Sequence, residues 1–395
     1  AIDHYYGSEM ARWYENETGN AGENWKWVNK PEALIPFVGY ALTNPAAKTF
    51  TNTGTLVPST NQTISLTCDG TNYKGWNLFA NSWMAPINIA RFEAADFGAG
   101  VQQTIYLFNT GTNDGHQSSF PDQNTETGSA GQYVAVPIAT ATVLGANKFI
   151  APMQGFYLVT EAAATVTLNY DRLVRNSEHT ALSVLPNRAP RYNSTQEEAE
   201  AMPRLVIDVL GTQFSDRLYI FENPNRTNDF DNAWDGYKFE GEDYAPQLMT
   251  RTNDIDLAVD VSPAFGGKQI AFRAGEDADY TLRFSTSVEG LVLRDLLLGT
   301  ETPIEDGGTY HFFGTNKEPN IRFEIVDNRY EIPTSIEETM EWNGQILSLR
   351  VYTADGRLVL HRTNGFDKPL LLPQSGVYIL QMQTTAGLKT QKITF

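Results

Sequence analysis

Two tryptophans in one short segment are the residues whose chemistry could hold a ligand. Trp25 and Trp27 lie in ENWKWVN, where strand-like alternation would place both rings on one face. Aromatic faces can stack on the apolar side of a sugar ring, so the pair could form a glycan-binding platform. More often such rings simply fill a core, each burying about 150–250 Å². We take Trp25 and Trp27 as the candidate ligand-binding residues, with core packing as the alternative.

The acidic segment 227–243, TNDFDNAWDGYKFEGED, is the second candidate site. Four of its side chains could offer oxygen ligands to Ca²⁺: Asp229, Asp231, Asn232 and Asp235. Their spacing differs from that of an EF-hand loop. The alternative is a loop built of Asx turns, with Trp234 and Tyr237 tucked into the end of a sandwich. We predict no bound metal and no cofactor, and we keep calcium binding at the 227–243 loop as the alternative.

Residue types used in catalysis occur without a pattern that selects them. The five histidines lie far apart, without the i, i+3 or i+4 spacing of a zinc site: His4, His116, His179, His311 and His361. There is no G-x-S-x-G elbow, no phosphate-binding glycine loop, and no motif that selects a carboxylate pair. Cys68 is the only cysteine, which excludes an intrachain disulfide, and we interpret it as an inert core residue. These patterns favour a protein that is not an enzyme.

Composition narrows the class of protein further. A net charge of −18 argues against nucleic acid as a partner, since phosphate binding requires a basic face. No apolar run approaches the roughly 20 residues needed to span a bilayer. Hydrophobic residues make up 41% of the chain, which excludes wholesale disorder. The first residues resemble the middle of a domain and not a signal peptide, so we expect a fragment of a longer chain.

The elements that must position these residues are almost all strands. The first block, 1–186, has short β-branched and aromatic runs separated by frequent turn signals, and contains a long polar loop at 109–133. A proline-framed linker with a potential helical turn follows at 187–203. The second block, 204–328, holds seven strand-like runs, and the C-terminal module, 331–395, is smaller. We predict an all-β protein of tandem antiparallel β-sandwich domains, jelly-roll or immunoglobulin-like, with a small C-terminal β-sandwich module.

The C-terminal module has the clearest alternation in the chain. Asp355-Gly356 predicts a tight hairpin turn between two strands. Seven apolar side chains are predicted to share one small core: Leu347, Leu349, Val351, Leu358, Leu360, Val377 and Ile379. Arg350, Arg357 and Lys389 should lie outside it. So small a core is marginal alone, and we expect a hinge at Glu331–Pro333.

Three motifs in this module also resemble a known family. VYTADGRLV, LPQSGVYIL and the closing KTQKITF strand are similar to the C-terminal sorting domain of Bacteroidetes surface and secreted proteins. That resemblance implies type IX secretion, with export or anchoring through this module. The family often ends in one or two lysines, whereas this chain ends at Phe395.

The larger blocks resemble the same group of surface proteins. YKGWNLFANSWMAPINI at 73–89 is similar to their GWNLxGNPYPxxIDW motif, and APMQGFYLV at 151–159 is similar to the PxQGFFV strand that follows it. The sequence departs from the motif at Trp83 and Met84. Both elements also have a purely structural interpretation, because the glycines permit tight backbone while Trp76 and Phe156 fill a core.

Three functions remain open at this point. The first is a non-catalytic extracellular surface protein, an adhesin or stalk region with a glycan or a host or surface protein as partner. The second is a glycan-binding accessory region of a larger extracellular polysaccharide-degrading enzyme. The third is an enzyme whose site the sequence hides.

Overall fold

Nearly all regular structure in the chain is β-strand, which confirms the all-β prediction. The computed structural model describes residues 9–16, 24–28, 33–43, 54–109, 131–144, 148–174, 194–330, 345–354, 356–363 and 377–394. Parts of several predictions fall outside these stretches: loop residues 110–130, linker residues 187–193, the hinge Glu331–Pro333, Asp355, His4, His116 and His179. Within these stretches, five short 3-10 helices accompany the strands: Ile89–Arg91, Ala94–Asp96, Ala141–Val143, Tyr170–Arg172 and Asn328–Tyr330.

The first block forms several small antiparallel sheets around one hydrophobic cluster. Its strands are β1 (Glu9–Trp13), β2 (Trp25–Trp27), β3 (Tyr40–Thr43), β4 (Gln62–Leu66), β5 (Trp76–Ala80), β6 (Ile87–Asn88), β7 (Thr104–Phe108), β8 (Tyr133–Pro137), β9 (Phe149–Ile150), β10 (Gly155–Val159) and β11 (Ala164–Leu168). The sheets have the orders β2-β1-β3 and β5-β10-β7-β8, and two pairs, β11-β4 and β6-β9, complete the block.

The two motifs singled out in the first block pair with each other. Strand β5 carries GWNLFA and lies antiparallel to β10, which carries GFYLV. Gly75 enters β5 at φ +79°, and a Cβ there would lie 2.0 Å from the carbonyl oxygen of Thr160. Phe156 is fully buried and Trp76 is half-buried against the same core. The structural interpretation of both motifs therefore accounts for their residues.

The second block is one curled sheet. Its strands are β12 (Arg204–Leu210), β13 (Ser215–Glu222), β14 (Gly236–Tyr237), β15 (Gln247–Thr252), β16 (Ile255–Ser262), β17 (Gln269–Arg273), β18 (Ala278–Thr286), β19 (Leu291–Asp295), β20 (Thr300–Ile304), β21 (Thr309–Gly314) and β22 (Asn320–Asp327). Ten strands follow the order β20-β19-β22-β17-β15-β16-β13-β12-β18-β21, with β14 beside β16. All seven predicted runs are strands. One pair, β13 with β16, is parallel, because the long connection between them allows a crossover.

The two blocks share a hydrophobic core. Alternation along β13 directs Leu218 and Ile220 into the core of the second block, and Tyr219 and Phe221 into the cluster of the first block. The linker contributes as well, since α1 (Ser194–Ala201) and the residue after it bury Ala199 and Met202 in the same cluster. A strand that is apolar on both faces is therefore buried on both faces.

The C-terminal module forms a four-stranded sheet. Its strands are β23 (Ile346–Thr353), β24 (Leu358–Arg362), β25 (Val377–Thr384) and β26 (Gly387–Thr394), in the order β24-β23-β25-β26. Arg350, Arg357 and Lys389 are exposed, as predicted. Gly356 lies in the expected turn with φ +87°.

The predicted core of this module is only partly right. Leu349 and Val351 are fully buried, opposite Met382 and Leu380 respectively. The remaining predicted members are exposed or half-buried: Leu347, Leu358, Leu360, Val377 and Ile379. On β25 the buried residues are Tyr378, Leu380 and Met382. The pairing register buries the other face of β25, and a ladder irregularity between Ile346 and Ser348 accompanies the outward position of Leu347.

Candidate functional site

The two candidate tryptophans lie on an edge strand of the three-stranded sheet. On β2, Trp25 pairs with Trp13 and Trp27 pairs with Ala11, and both candidate rings are half-buried. The Trp25 ring meets the buried Trp13 ring edge-on, with 5.2 Å between centroids. Trp25 thus contributes to packing, and the pair is not a fully exposed platform.

An aromatic cluster connects this sheet to the second block. We call it the aromatic junction, and its members are Trp13, Trp25, Tyr73, Trp76, Tyr133, Tyr157 and Phe239. Phe239 comes from the second block and lies between two rings of the first, 4.1 Å from Trp76 and 4.0 Å from Tyr133. The alternation in GYKFEG was the available signal for Phe239, and sequence reasoning missed it.

Two tyrosines of the junction have raised pKa values. Burial raises the pKa of the Tyr133 hydroxyl to about 12, although a hydrogen bond with Tyr157 opposes the rise. Burial also raises the pKa of Tyr157 well above its usual value. Both phenols are therefore neutral at physiological pH, and their rings act as packing elements of the junction.

The acidic segment uses its carboxylates to build its own loop. Asp231 Oδ2 accepts a hydrogen bond from the Thr227 N–H at 2.6 Å. Asp235 accepts from two backbone N–H groups, those of Asp231 and Val261, each at 2.7 Å. No group of three or more His, Cys, Asp or Glu side chains suited to a metal ion occurs within the described stretches. These contacts match the Asx-turn interpretation.

The same loop fastens the second block to the first. Asn232 Oδ1 accepts a hydrogen bond from the Gln103 N–H at 2.7 Å, and Asn232 Nδ2 donates to the Val101 carbonyl at 3.2 Å. The Thr104 hydroxyl donates to the Asp235 carbonyl at 2.8 Å. Trp234 is buried in the shared cluster, close to its predicted position at the sandwich end. We call residues 227–237 the docking loop.

One carboxyl of the docking loop, that of Asp235, has a strongly raised pKa. Burial raises the pKa of Asp235 to about 8, against the opposing effect of the hydrogen bonds from Asp231 and Val261. The nearby Asp260 adds to the rise, although its own carboxylate contacts the Lys268 ammonium at 3.0 Å. The docking loop therefore contains a carboxyl whose proton is retained into the neutral range.

A second buried carboxylate, Glu15, joins the first sheet to the turn before β5. It accepts hydrogen bonds from the Gly75 N–H at 2.8 Å, the Gly70 N–H at 3.0 Å and the Thr67 hydroxyl at 2.9 Å. Burial by itself would raise the pKa of Glu15, but these hydrogen bonds lower it below its usual value. No local sequence signal marks this residue, because its partners lie more than fifty positions away.

Other candidate reactive residues stay apart. Cys68 is half-buried beyond the end of β4 and faces Gly75, so it is less enclosed than the predicted core cysteine. His311 Nδ1 is 2.9 Å from the Thr281 hydroxyl on the exposed surface of the second block. His361 belongs to a different sheet, in the C-terminal module. Of the helices in the described residues, none is long and apolar enough to cross a membrane.

Comparisons with known proteins extend over nearly the whole chain. A family model described as "Domain of unknown function (DUF8693)" matches residues 4–326. The chain is also similar to the "Minor fimbrium subunit Mfa5" of Porphyromonas gingivalis, at 31% identity over 416 aligned positions. That similarity covers 95% of this chain and 32% of the relative, so the chain spans about a third of the curated relative it matches. No solved structure matches the chain.

Proposed function

Since this chain belongs to the DUF8693 family, and since nearly all of the chain is similar to a fimbrium subunit, we propose that it acts at the cell surface. The chain is a non-catalytic part of an extracellular protein at the outer cell surface, serving as an adhesin or stalk region. The similarity to the minor fimbrium subunit over 95% of the chain carries this proposal.

The fold supports a mechanical role of this kind. The docking loop and the aromatic junction join the two larger blocks by hydrogen bonds and stacked rings, and both blocks contribute to one hydrophobic cluster. Two modules that share a core resist bending more than two modules joined by a flexible linker. A stiff unit suits a stalk or a projecting adhesive region.

The C-terminal module is proposed to have a role of its own. The family model ends at residue 326, and the four-stranded sheet begins at Ile346, beyond the matched region. We assign export or anchoring to this module on its resemblance to sorting domains. We also propose that the chain divides into three units, at 1–186, 204–328 and 331–395.

Surface labelling of cells that produce the natural full-length protein tests the role. Antibodies against the second block should label intact cells, and external protease should remove the epitope. Deletion of residues 345–395 should abolish labelling while the larger blocks remain folded. An epitope found only inside cells would overturn the surface role, whereas normal display of the truncated protein would overturn only the export role.

Glycan binding at Trp25 and Trp27, within a larger polysaccharide-degrading enzyme, is the second candidate function. The half-exposed rings of both tryptophans favour it. A glycan array should then show binding that Trp27→Ala removes, and Trp25→Ala should also weaken packing on Trp13. An array without hits for the folded protein would eliminate this candidate.

A further inference from the structure

Two arginines share one carboxylate on the outer face of the second block. Asp208 on β12 pairs across the strands with Arg217 on β13 and with Arg283 on β18. Asp208 Oδ1 accepts a hydrogen bond from Arg217 Nε at 2.5 Å, and its Oδ2 accepts one from Arg217 Nη2 at 3.0 Å. Arg283 Nη2 donates to the same Oδ2 at 2.6 Å. The cluster therefore has one positive charge in excess.

The excess charge is accessible at Arg283. Asp208 is buried, whereas the Arg283 side chain is 36% exposed. Both contacts of Arg283 with Asp208 use Nε and Nη2, and its Nη1 has no hydrogen-bond partner in the part of the chain that the structure describes. A guanidinium stays protonated at every physiological pH. In a chain of net charge −18, this cluster is thus a permanent local attraction for a negative group.

Polar side chains extend the face beside Arg283. Alternation along β18 places Thr281 and Ser285 on the same face as Arg283. On β21, Thr309 pairs with Arg283 and His311 pairs with Thr281, and His311 Nδ1 lies 2.9 Å from the Thr281 hydroxyl. Ser285, Thr309 and His311 are exposed. Hydroxyl groups both donate and accept hydrogen bonds, which suits them to the hydroxyls of a sugar.

An aromatic ring and an acidic side chain lie at the far end of this face. Phe313 follows His311 by two residues, so it shares the face, and it is 56% exposed. Its ring offers an apolar surface on which a sugar ring can stack. Asp279 pairs with Phe313, is exposed, and lies four residues from Arg283, about 13 Å along the strand. A negative group is therefore repelled at the Asp279 end and attracted at the Arg283 end.

These features favour an acidic sugar over a peptide or a membrane. The arginines lie on β13 and β18, which are paired on both sides, so an extended peptide finds no free strand edge beside them. A membrane of anionic lipids would meet the net charge of the whole molecule. A single carboxylate meets only the local cluster, since salt screens exposed charges beyond about 8 Å. The planar fork of arginine also matches a carboxylate.

We propose that Arg283, with Arg217 beside it, binds the carboxylate of an acidic saccharide whose rings lie along the polar row and Phe313. Asp208 is the positioning residue, because it holds Arg283 from the buried side. We call this site the arginine face, and its members are Asp208, Arg217, Thr281, Arg283, Ser285, Thr309, His311 and Phe313. The site goes beyond the proposed surface role and does not rest on it, since the purified chain tests it directly.

A glycan array titrated with the purified full chain tests the proposal. The probes are oligogalacturonate, hyaluronan oligosaccharides and sialyllactose, each beside a neutral form whose carboxylates are methyl-esterified. The wild type should bind at least one acidic probe, and bind its neutral form at least about tenfold more weakly. Arg283→Gln should weaken the acidic binding at least about tenfold, because the charge and the fork are both lost. Arg283→Lys should restore only part of it, since an ammonium keeps the charge without the fork.

The matched control is Arg294→Gln. The Arg294 side chain is 40% exposed, close to that of Arg283, but it lies between the carboxylates of Glu301 and Glu324. It should bind the acidic probes as the wild type does. Arg283→Gln leaves Asp208 paired with Arg217, and circular dichroism checks that it folds. If it does not, Phe313→Ala replaces it and should also weaken binding, because it removes the stacking surface.

Three results on the array would each overturn the proposal: no binding to any acidic probe, equal binding of acidic and neutral forms, or unchanged binding by folded Arg283→Gln. Two further probes distinguish the other sources of a negative group. Binding to a polyglutamate peptide or to phosphatidylserine vesicles, without binding to the acidic glycans, would equally overturn the assignment to a saccharide.

Discussion

Asn232 and Gln103 lie 129 positions apart in the chain, yet the side-chain oxygen of Asn232 accepts a hydrogen bond from the Gln103 N–H at 2.7 Å. The same amide group donates to the Val101 carbonyl, so one side chain of the docking loop holds two points of the first block. Beside it Trp234 enters the cluster that both blocks share. The acidic segment is thus a connection between blocks.

Trp234→Ala should lower the free energy of unfolding by about 3–5 kcal/mol, because it removes a buried aromatic side chain from the shared cluster. Urea unfolding followed by fluorescence and by circular dichroism measures the change. Leu56→Ala is the control, since Leu56 is 73% exposed and should change stability by less than about 0.5 kcal/mol. Equal effects of the two variants would show that the docking loop is not part of the cooperative core.

Phe239 and Tyr133 should be energetically coupled across the aromatic junction. A double-mutant cycle with Phe239→Leu and Tyr133→Leu should give a coupling energy of about 0.5–1.5 kcal/mol, because the rings stack at 4.0 Å. Additive effects of the two substitutions would show that the two blocks do not depend on this contact.

Asp235 should make the stability of the chain decrease as pH rises toward neutrality. Its folded pKa of about 8 lies above the usual 3.8, so the folded state holds an extra proton between these values. The associated stabilisation is complete at low pH and is lost as pH rises through the folded pKa, with a slope of at most about 1.4 kcal/mol per pH unit. Asp235→Asn should flatten the pH dependence of the free energy of unfolding across this window. An unchanged slope would contradict the assignment.

Glu15→Gln should destabilise the first block by about 2–3 kcal/mol, because an amide cannot accept all of the hydrogen bonds that the buried carboxylate receives. The pKa of Glu15 is lowered, so its stabilisation is present above the usual value of 4.5 and is lost as pH falls through the lower folded pKa. The variant should lack this acid-dependent loss in chemical denaturation. Glu93→Gln alters an exposed carboxylate and serves as the control.

Leu380→Ala should cost the C-terminal module about 2–5 kcal/mol, enough to unfold so small a sheet, whereas Leu347→Ala should have little effect. Leu380 is fully enclosed and Leu347 is half exposed, although both were equally plausible core residues by residue type. Hydrogen exchange resolved by peptide measures protection of residues 346–394. Loss of protection in the Leu347 variant alone would mean that the register of the sheet differs from the one described.

Local pattern was enough to predict the strands of this protein. The seven runs of the second block alternate or are continuously apolar, and each is a strand, because the backbone period of two is a local property. The turn at Gly356 was likewise predicted from residue type, since glycine tolerates positive φ. The Asx-turn character of the acidic segment follows from the short polar side chains of Asp and Asn.

The tertiary structure decided which faces and which distant residues meet. On β25, Val377 and Ile379 form one alternating apolar set, and Tyr378 and Leu380 form an equally apolar set on the opposite face. Only the pairing with β23 determines that Tyr378 and Leu380 are the buried set. The alternation in GYKFEG could mark Phe239 as an inward-facing residue, but it does not indicate that its ring lies between Trp76 and Tyr133. Residue types and their spacing determine strands and turns through short-range sterics, whereas the contacts that join the blocks depend on how separate strands pack in space.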